Sequence, residues 1–292
     1  MKEIRGVITA MATPFDEGGA IDEAATLKLA TYLLEHGSHG LVISGSTGEA
    51  PTLTDEEALQ LVRAIRKEVG EETLLICGTG TNYTEHSIEL TRGAAEAGAD
   101  AALIVTPYYN KPNPAGIQAH FEAIAAAIPE MPIIAYNIPS RVVVNVPPDQ
   151  LAEIAKIDSV VAVKQANNDE MQPIPGMEIL AGNDDVFLKT LELDGAGGIL
   201  VASHLVGPQM REMWDAAQAG EIDRAREIDT GLRQLYAAIG VTTNPIPVKA
   251  GLEMMGLIPT DTLRLPLVSA DAGQRAAMQA ALESVGLSPV TS

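Results

Sequence analysis

Val160-Val161-Ala162-Val163-Lys164-Gln165 is an apolar run that ends on a lysine. Parallel strands covered on both faces read as near-continuous apolar runs. The stretch therefore predicts a short buried strand with Lys164 at its C-terminal end. Lysine is seldom fully buried without a partner. Desolvation disfavours the ammonium, and an amine relieved of its proton attacks carbonyl carbon to give a Schiff base. The competing reading is a strand-end lysine whose stem carries the charge out to solvent. The rest of the chain decides between the two.

Working outward, short β-type runs alternate with amphipathic segments from the first residues to about residue 219. The runs lie at 6–13, 40–46, 73–80, 101–108, 132–138, 160–165, 178–182 and 198–203. Helical patterns fall between them at 21–36, 55–69, 84–97, 114–127 and 148–156, and residues 169–176, with two prolines, have room only for a short helix. Eight runs joined by crossover helices imply parallel strands, and eight is the number that closes an α/β (β/α)8 TIM barrel. No G-x-G-x-x-G follows the first run, which weighs against an open doubly wound sheet. From 207 onward the pattern is helix after helix, at 207–219, 222–238, 246–255 and 270–285. The expected division is a barrel over 1–224 and a C-terminal helical extension over 225–292.

With 19 Lys and Arg against 39 Asp and Glu the net charge is −20. Such a surface argues against nucleic acid and against anionic membrane as partners. The lone cysteine, Cys77, excludes an intrachain disulfide and suits a reducing, cytoplasmic compartment. Its apolar surroundings make it a small buried hydrophobe rather than a nucleophile. The polar N-terminus is read as no signal peptide, and no apolar run approaches the roughly 20 residues that span a bilayer.

In a barrel of this kind the active site is built at the C-terminal ends of the strands. Gly45-Ser46-Thr47-Gly48-Glu49 follows the second run, a glycine turn with two hydroxyls and N–H groups suited to a carboxylate. Thr106-Pro107-Tyr108-Tyr109-Asn110 follows the fourth and places two of the six tyrosines side by side. The fifth ends Tyr136-Asn137-Ile138-Pro139-Ser140-Arg141. A phenol there neighbours Lys164 on the next strand and suits proton transfer, and Arg141 suits a substrate carboxylate. Taken singly, each motif has a bland reading as a turn, an interface aromatic pair or a surface salt bridge. Together they describe a pocket for an α-keto acid, its carboxylate on Ser46 and Thr47 and its ketone at Lys164.

The chain resembles the dihydrodipicolinate synthase family, within the superfamily that includes N-acetylneuraminate lyase. The resemblance runs from Gly6-Val7-Ile8-Thr9-Ala10-Met11-Ala12-Thr13-Pro14-Phe15 through the motifs above, Val163-Lys164 and Gly182-Asn183-Asp184-Asp185, to Asn244-Pro245-Ile246-Pro247-Val248-Lys249. It implies condensation of pyruvate with aspartate 4-semialdehyde in lysine biosynthesis, with neither cofactor nor metal, by a homo-oligomer built as a dimer of dimers. Lys164 then matches the Schiff-base lysine, Tyr136 the proton-relaying tyrosine and Thr47 the relay threonine, with Ser46 beside it. Tyr109 matches a tyrosine handed across a dimer interface. Arg141 matches the receptor of the second substrate's carboxylate, and Ile199 a position whose carbonyl lines the pocket. The chain departs from the family pattern at Val142-Val143-Val144 and at Gln165-Ala166-Asn167-Asn168.

Two other readings stay open. One is a related aldolase for 2-keto-3-deoxy sugar acids or N-acetylneuraminate, which the Gly-Ser-Thr-Gly-Glu turn does not exclude. The other is a non-catalytic keto-acid-binding barrel, which would not need an imine-forming lysine. The resemblance also locates the positions that bind inhibitory L-lysine in some members: Ala50, Asp55, Ala58, Asn82, His86 and Tyr108. Histidine at 86, where a glutamate is expected, implies weak or absent inhibition by L-lysine.

Overall fold

The structure, a computed structural model, describes residues 2–290. Residue 1 and residues 291–292 of the expected two-part division lie outside the described residues. Eight parallel strands close into a barrel in sequence order, β1 (Gly6–Ala10), β2 (Gly40–Ile43), β3 (Leu74–Gly78), β4 (Ala101–Val105), β5 (Ile133–Asn137), β6 (Val160–Gln165), β7 (Glu178–Ala181) and β8 (Gly197–Leu200). β8 pairs back onto β1 through Ile8 opposite Ile199. The expected barrel is the observed one.

Most of the expected runs overshoot their strands at the C-terminal end, 6–13 against a strand that stops at Ala10 and 40–46 against one that stops at Ile43. The surplus residues form the turns that carry the site. Around the barrel lie α1 (Glu23–Glu35), α2 (Asp55–Val69), α3 (Thr84–Glu96), α4 (Pro114–Ala127), the short α5 (Pro139–Val142), α6 (Pro148–Ile154), α7 (Phe187–Glu192) and α8 (Ser203–Gln218), which kinks at Val206. Helices α9 (Ile222–Ile239), α10 (Ile246–Met254) and α11 (Ala272–Ser284) follow. The boundary expected between residues 224 and 225 therefore cuts into α9, just past its start.

Helix α2 illustrates the local logic. Thr54 caps it with a reciprocal bond to Glu57, Asp55, Glu56 and Glu57 fill its first turn, and Arg66 and Lys67 its last. Acids at the N-terminus and bases at the C-terminus both oppose the helix dipole favourably.

Alternate strand residues fill the barrel interior, among them Ile8, Val42, Ile76, Leu103, Ile134, Ala162, Leu180 and Ile199. Their neighbours Val7, Leu41, Leu75, Ala102, Val163 and Leu200 face the helices. Cys77 belongs to that outer layer, fully buried, and burial pushes its thiol up to about 12. At that pKa the thiolate is too scarce for nucleophilic work. No helix among the described residues is long and apolar enough to cross a membrane.

Candidate active site

The placement of Lys164 depends on one irregularity in the sheet. Ile133 pairs with Val160 but Ile134 pairs with Ala162, so Val161 is skipped as a bulge. Side chains alternate faces along a strand, and a slip of one residue turns the following set over. The slip sets Lys164 opposite Tyr136, on the same inward alternation as Ala162 and Ile134. Lys164 Nζ lies 4.3 Å from the Tyr136 ring centroid.

Lys164 is 6% exposed, and among the described residues its Nζ makes no hydrogen bond or ion pair. Burial lowers its pKa to about 7, against the pull of Asp184, with Arg141 adding to the lowering. Burial likewise pushes the Tyr136 phenol up to about 12, so at neutral pH it holds its proton. Lysine and tyrosine thus meet as an amine that sheds its proton near neutral pH and a neutral phenol.

In the Gly45–Glu49 turn the expected glycine flexibility lies elsewhere. The left-handed residues are Ser44 (φ 56°) and Glu49 (φ 58°), not the glycines. Gly48 is needed for space instead, since a Cβ there would lie 3.1 Å from the Met11 carbonyl oxygen. The backbone N–H groups of Ser46 and Thr47 make no hydrogen bond among the described residues. Both residues line the pocket wall.

The two hydroxyls have separate surroundings. Ser46 approaches the Tyr136 phenol closely enough to ease its ionisation, without closing a hydrogen bond of regular geometry. Thr47 Oγ1 instead accepts a hydrogen bond from Asn244 Nδ2 at 2.9 Å. The place beside the phenol that the resemblance implied for Thr47 is occupied by Ser46.

Arg141, on α5, stands exposed at the rim and donates to the Asn244 carbonyl at 2.9 Å. Two residues on, Val143 takes φ 70°. This left-handed conformation suits glycine and is unusual for a β-branched side chain. Ser46, Thr47, Tyr136, Arg141 and Lys164 all line one cavity of about 540 Å³.

Two expected residues are not in that wall. Ile199 is fully buried among the interior side chains, and Val201, beyond the strand end, lines the cavity in its stead. Tyr109 is 88% exposed at φ 69° and points away from its own chain's core. Its loop is tied down by Asn110 Nδ2, which donates to the Asn82 carbonyl.

Other residues of the cavity drew no role from the sequence. Asp184 is buried, its Oδ1 accepting from the N–H groups of Val201 and Ala202 at 2.9 and 3.0 Å. Burial raises its pKa to about 6 despite those bonds and the nearby Lys164. Tyr236 on α9 and Asn244 before α10 bring the C-terminal helices into the wall. Only the quoted Asn-Pro-Ile-Pro segment and the Asn183-Asp184-Asp185 cluster gave a signal, and neither reveals an inward-facing side chain.

Comparison with known proteins gives a match to the Dihydrodipicolinate synthetase family over residues 3–285. A 4-hydroxy-tetrahydrodipicolinate synthase of Cyanothece sp. is 44% identical over 96% of this chain and 98% of its own. One of Moorella thermoacetica is 42% identical over the same shares. Among solved structures, the dihydrodipicolinate synthase of Aquifex aeolicus superposes with a TM-score of 0.94 at 34% identity, covering 99% of this chain and all of its own. The chloride-inhibited, pyruvate-bound enzyme of Acinetobacter baumannii also gives 0.94, at 36% identity and 98% and 100% coverage.

Proposed function

This chain belongs to the dihydrodipicolinate synthetase family, and on that premise we infer that it is a lyase of lysine biosynthesis that condenses pyruvate with L-aspartate 4-semialdehyde on Lys164. The observation that carries the reading is a buried, unpaired lysine amine set across from a neutral phenol at the floor of a carboxylate-ready pocket.

The Lys164 amine adds to the ketone carbon of pyruvate, and loss of one water leaves an imine. Removal of a methyl proton gives the enamine, whose carbon attacks the aldehyde of the second substrate. The second substrate's own amine then closes onto the imine carbon and displaces Lys164, so one water leaves overall. Tyr136 is positioned to give and retrieve the protons of these steps, with Ser46 as its neighbour in the relay. The Thr47 hydroxyl and the free N–H groups of the turn receive the pyruvate carboxylate. Arg141, at the rim, receives the carboxylate of the semialdehyde.

Tyr109 completes the relay of a neighbouring subunit in a dimer of dimers, and the enzyme works in the cytoplasm. Its outward projection on a strained loop supports this assignment. Mixing Tyr109→Phe with Lys164→Ala subunits restores one intact site per heterodimer if the site is shared. No recovery after verified exchange argues for sites complete within one chain.

A reductase-coupled assay with pyruvate and aspartate 4-semialdehyde tests the reaction itself. Turnover is expected there and not in the direction of N-acetylneuraminate or sugar-acid cleavage. The reverse preference overturns the choice of second substrate while leaving Lys164 in place.

A further inference from the structure

Asn244 touches both ends of the site from a segment that is not part of the barrel. Its Nδ2 donates to Thr47 Oγ1 at 2.9 Å, and its backbone carbonyl accepts from Arg141 at 2.9 Å. Its side-chain Oδ1 is buried and has no partner among the described residues. A half-satisfied buried amide is uncommon in folded proteins.

The segment is held in place by a buried ion pair. Lys249, five residues on, reaches back to Glu49 Oε1 at 2.8 Å and to the Thr13 carbonyl at 2.9 Å. Glu49 closes the same turn that carries Thr47, so Asn244 and Thr47 are fixed to one another at two points.

An amide nitrogen can only donate. With the amide in this orientation Thr47 Oγ1 is the acceptor, and its own proton has no acceptor among the described residues. We propose that Asn244 is a positioning residue that sets the polarity of the Thr47 hydroxyl, holding its proton towards the pocket where a substrate carboxylate arrives, while its carbonyl aligns Arg141 at the rim. This rests on the reading of Thr47 as a pyruvate ligand and adds the residue that makes that hydroxyl a donor.

Asn244→Asp tests the polarity with little change of shape. A carboxylate accepts from Thr47, and so turns the proton away from the pocket. The readout is exchange of pyruvate methyl hydrogens for deuterium, which needs the imine but no second substrate. The expected result is a tenfold to hundredfold lower kcat/KM for exchange, with the thermal midpoint close to wild type. The loss should shrink as pH falls, because a protonated aspartic acid donates again.

The same substitution in a Thr47→Val background should do little further harm. A loss that persists undiminished there, or one that does not vary with pH, overturns the proposal, because charge repulsion or misfolding would then explain it. Should Asn244→Asp not fold, Asn244→Ala removes the donor without adding charge and is expected to lower exchange several-fold, again only when Thr47 is present. Absence of exchange in the wild type would instead refute the Lys164 reading itself.

Discussion

Lys164 and Lys249 are both buried, at 6% and 0% exposed, and each nitrogen lies 4.3 Å from an aromatic centroid, Tyr136 for one and Phe15 for the other. What separates them is company. Lys249 donates to Glu49 and to a carbonyl, and the second Glu49 oxygen accepts from the Arg264 N–H at 3.0 Å. Burial lowers the Lys249 pKa and Glu49 offsets part of that lowering. Lys164 has no hydrogen-bonded carboxylate among the described residues; Asp184 raises its pKa without bonding to it, and Arg141 lowers it further. Desolvation alone makes neither a nucleophile nor a strut. Whether a carboxylate bonds the amine directly decides which one results.

The widest expected gap between the two sites appears on deleting each amine. Lys164→Met should lower turnover on the order of 10³-fold or more, as loss of a covalent nucleophile does. It should leave stability unchanged or raise it, since an unpaired buried amine is removed. Lys249→Met should instead lose stability. It strands Glu49 without its partner in the interior, and losing half of a buried pair costs about 3–5 kcal/mol. Urea unfolding of both variants checks this, and equal destabilisation would erase the contrast.

Proton binding sharpens it next. Lys164 titrates near 7 when folded and 10.5 when unfolded. Between those values the unfolded chain binds more protons, so this group makes stability rise with pH across that window. The rise should be missing from Lys164→Met. The rate of imine formation should climb with pH and level off above about 7, as the amine loses its proton. A plateau reached only near 10 would mean an ordinary solvated lysine.

At the surface the same rule of pairing sets the smallest expected effect. His86 Nε2 lies 2.9 Å from Asp55 Oδ2, so the Asp55 carboxylate, the acid among those positions, is already engaged. A charge-assisted bond is typically worth about 1.5–3 kcal/mol, or roughly tenfold to a hundredfold in affinity. L-lysine should therefore inhibit weakly, at millimolar concentration or not at all. A titration of the coupled assay that halves the rate well below a millimolar would show that other groups hold the ligand.

Lys164 and Tyr136 were legible because each breaks an apolar strand pattern at its end, where a barrel exposes side chains to a pocket. Their direct pairing was not, because it depends on a bulge at Val161 that one more valine in a run of valines cannot announce. The separate duties of Ser46 and Thr47 were hidden for a similar reason. Two adjacent hydroxyls in a turn are distinguished only by what a distant segment brings, here Asn244. Asp184 is one of 39 acids in the sequence, and only the closed barrel turns it inward. The eight βα units were readable from periodicity, whereas the short α5 and the exact strand ends were set by the loops they lead into.

The contrast between the two lysines is tested most directly by borohydride reduction in the presence of pyruvate, followed by peptide mapping of the protein. The reduced adduct should sit on Lys164 alone, leave Lys249 unmodified, and vanish in Lys164→Arg with the fold intact. An adduct formed at wild-type level in that variant, or found on any other lysine, would contradict the account.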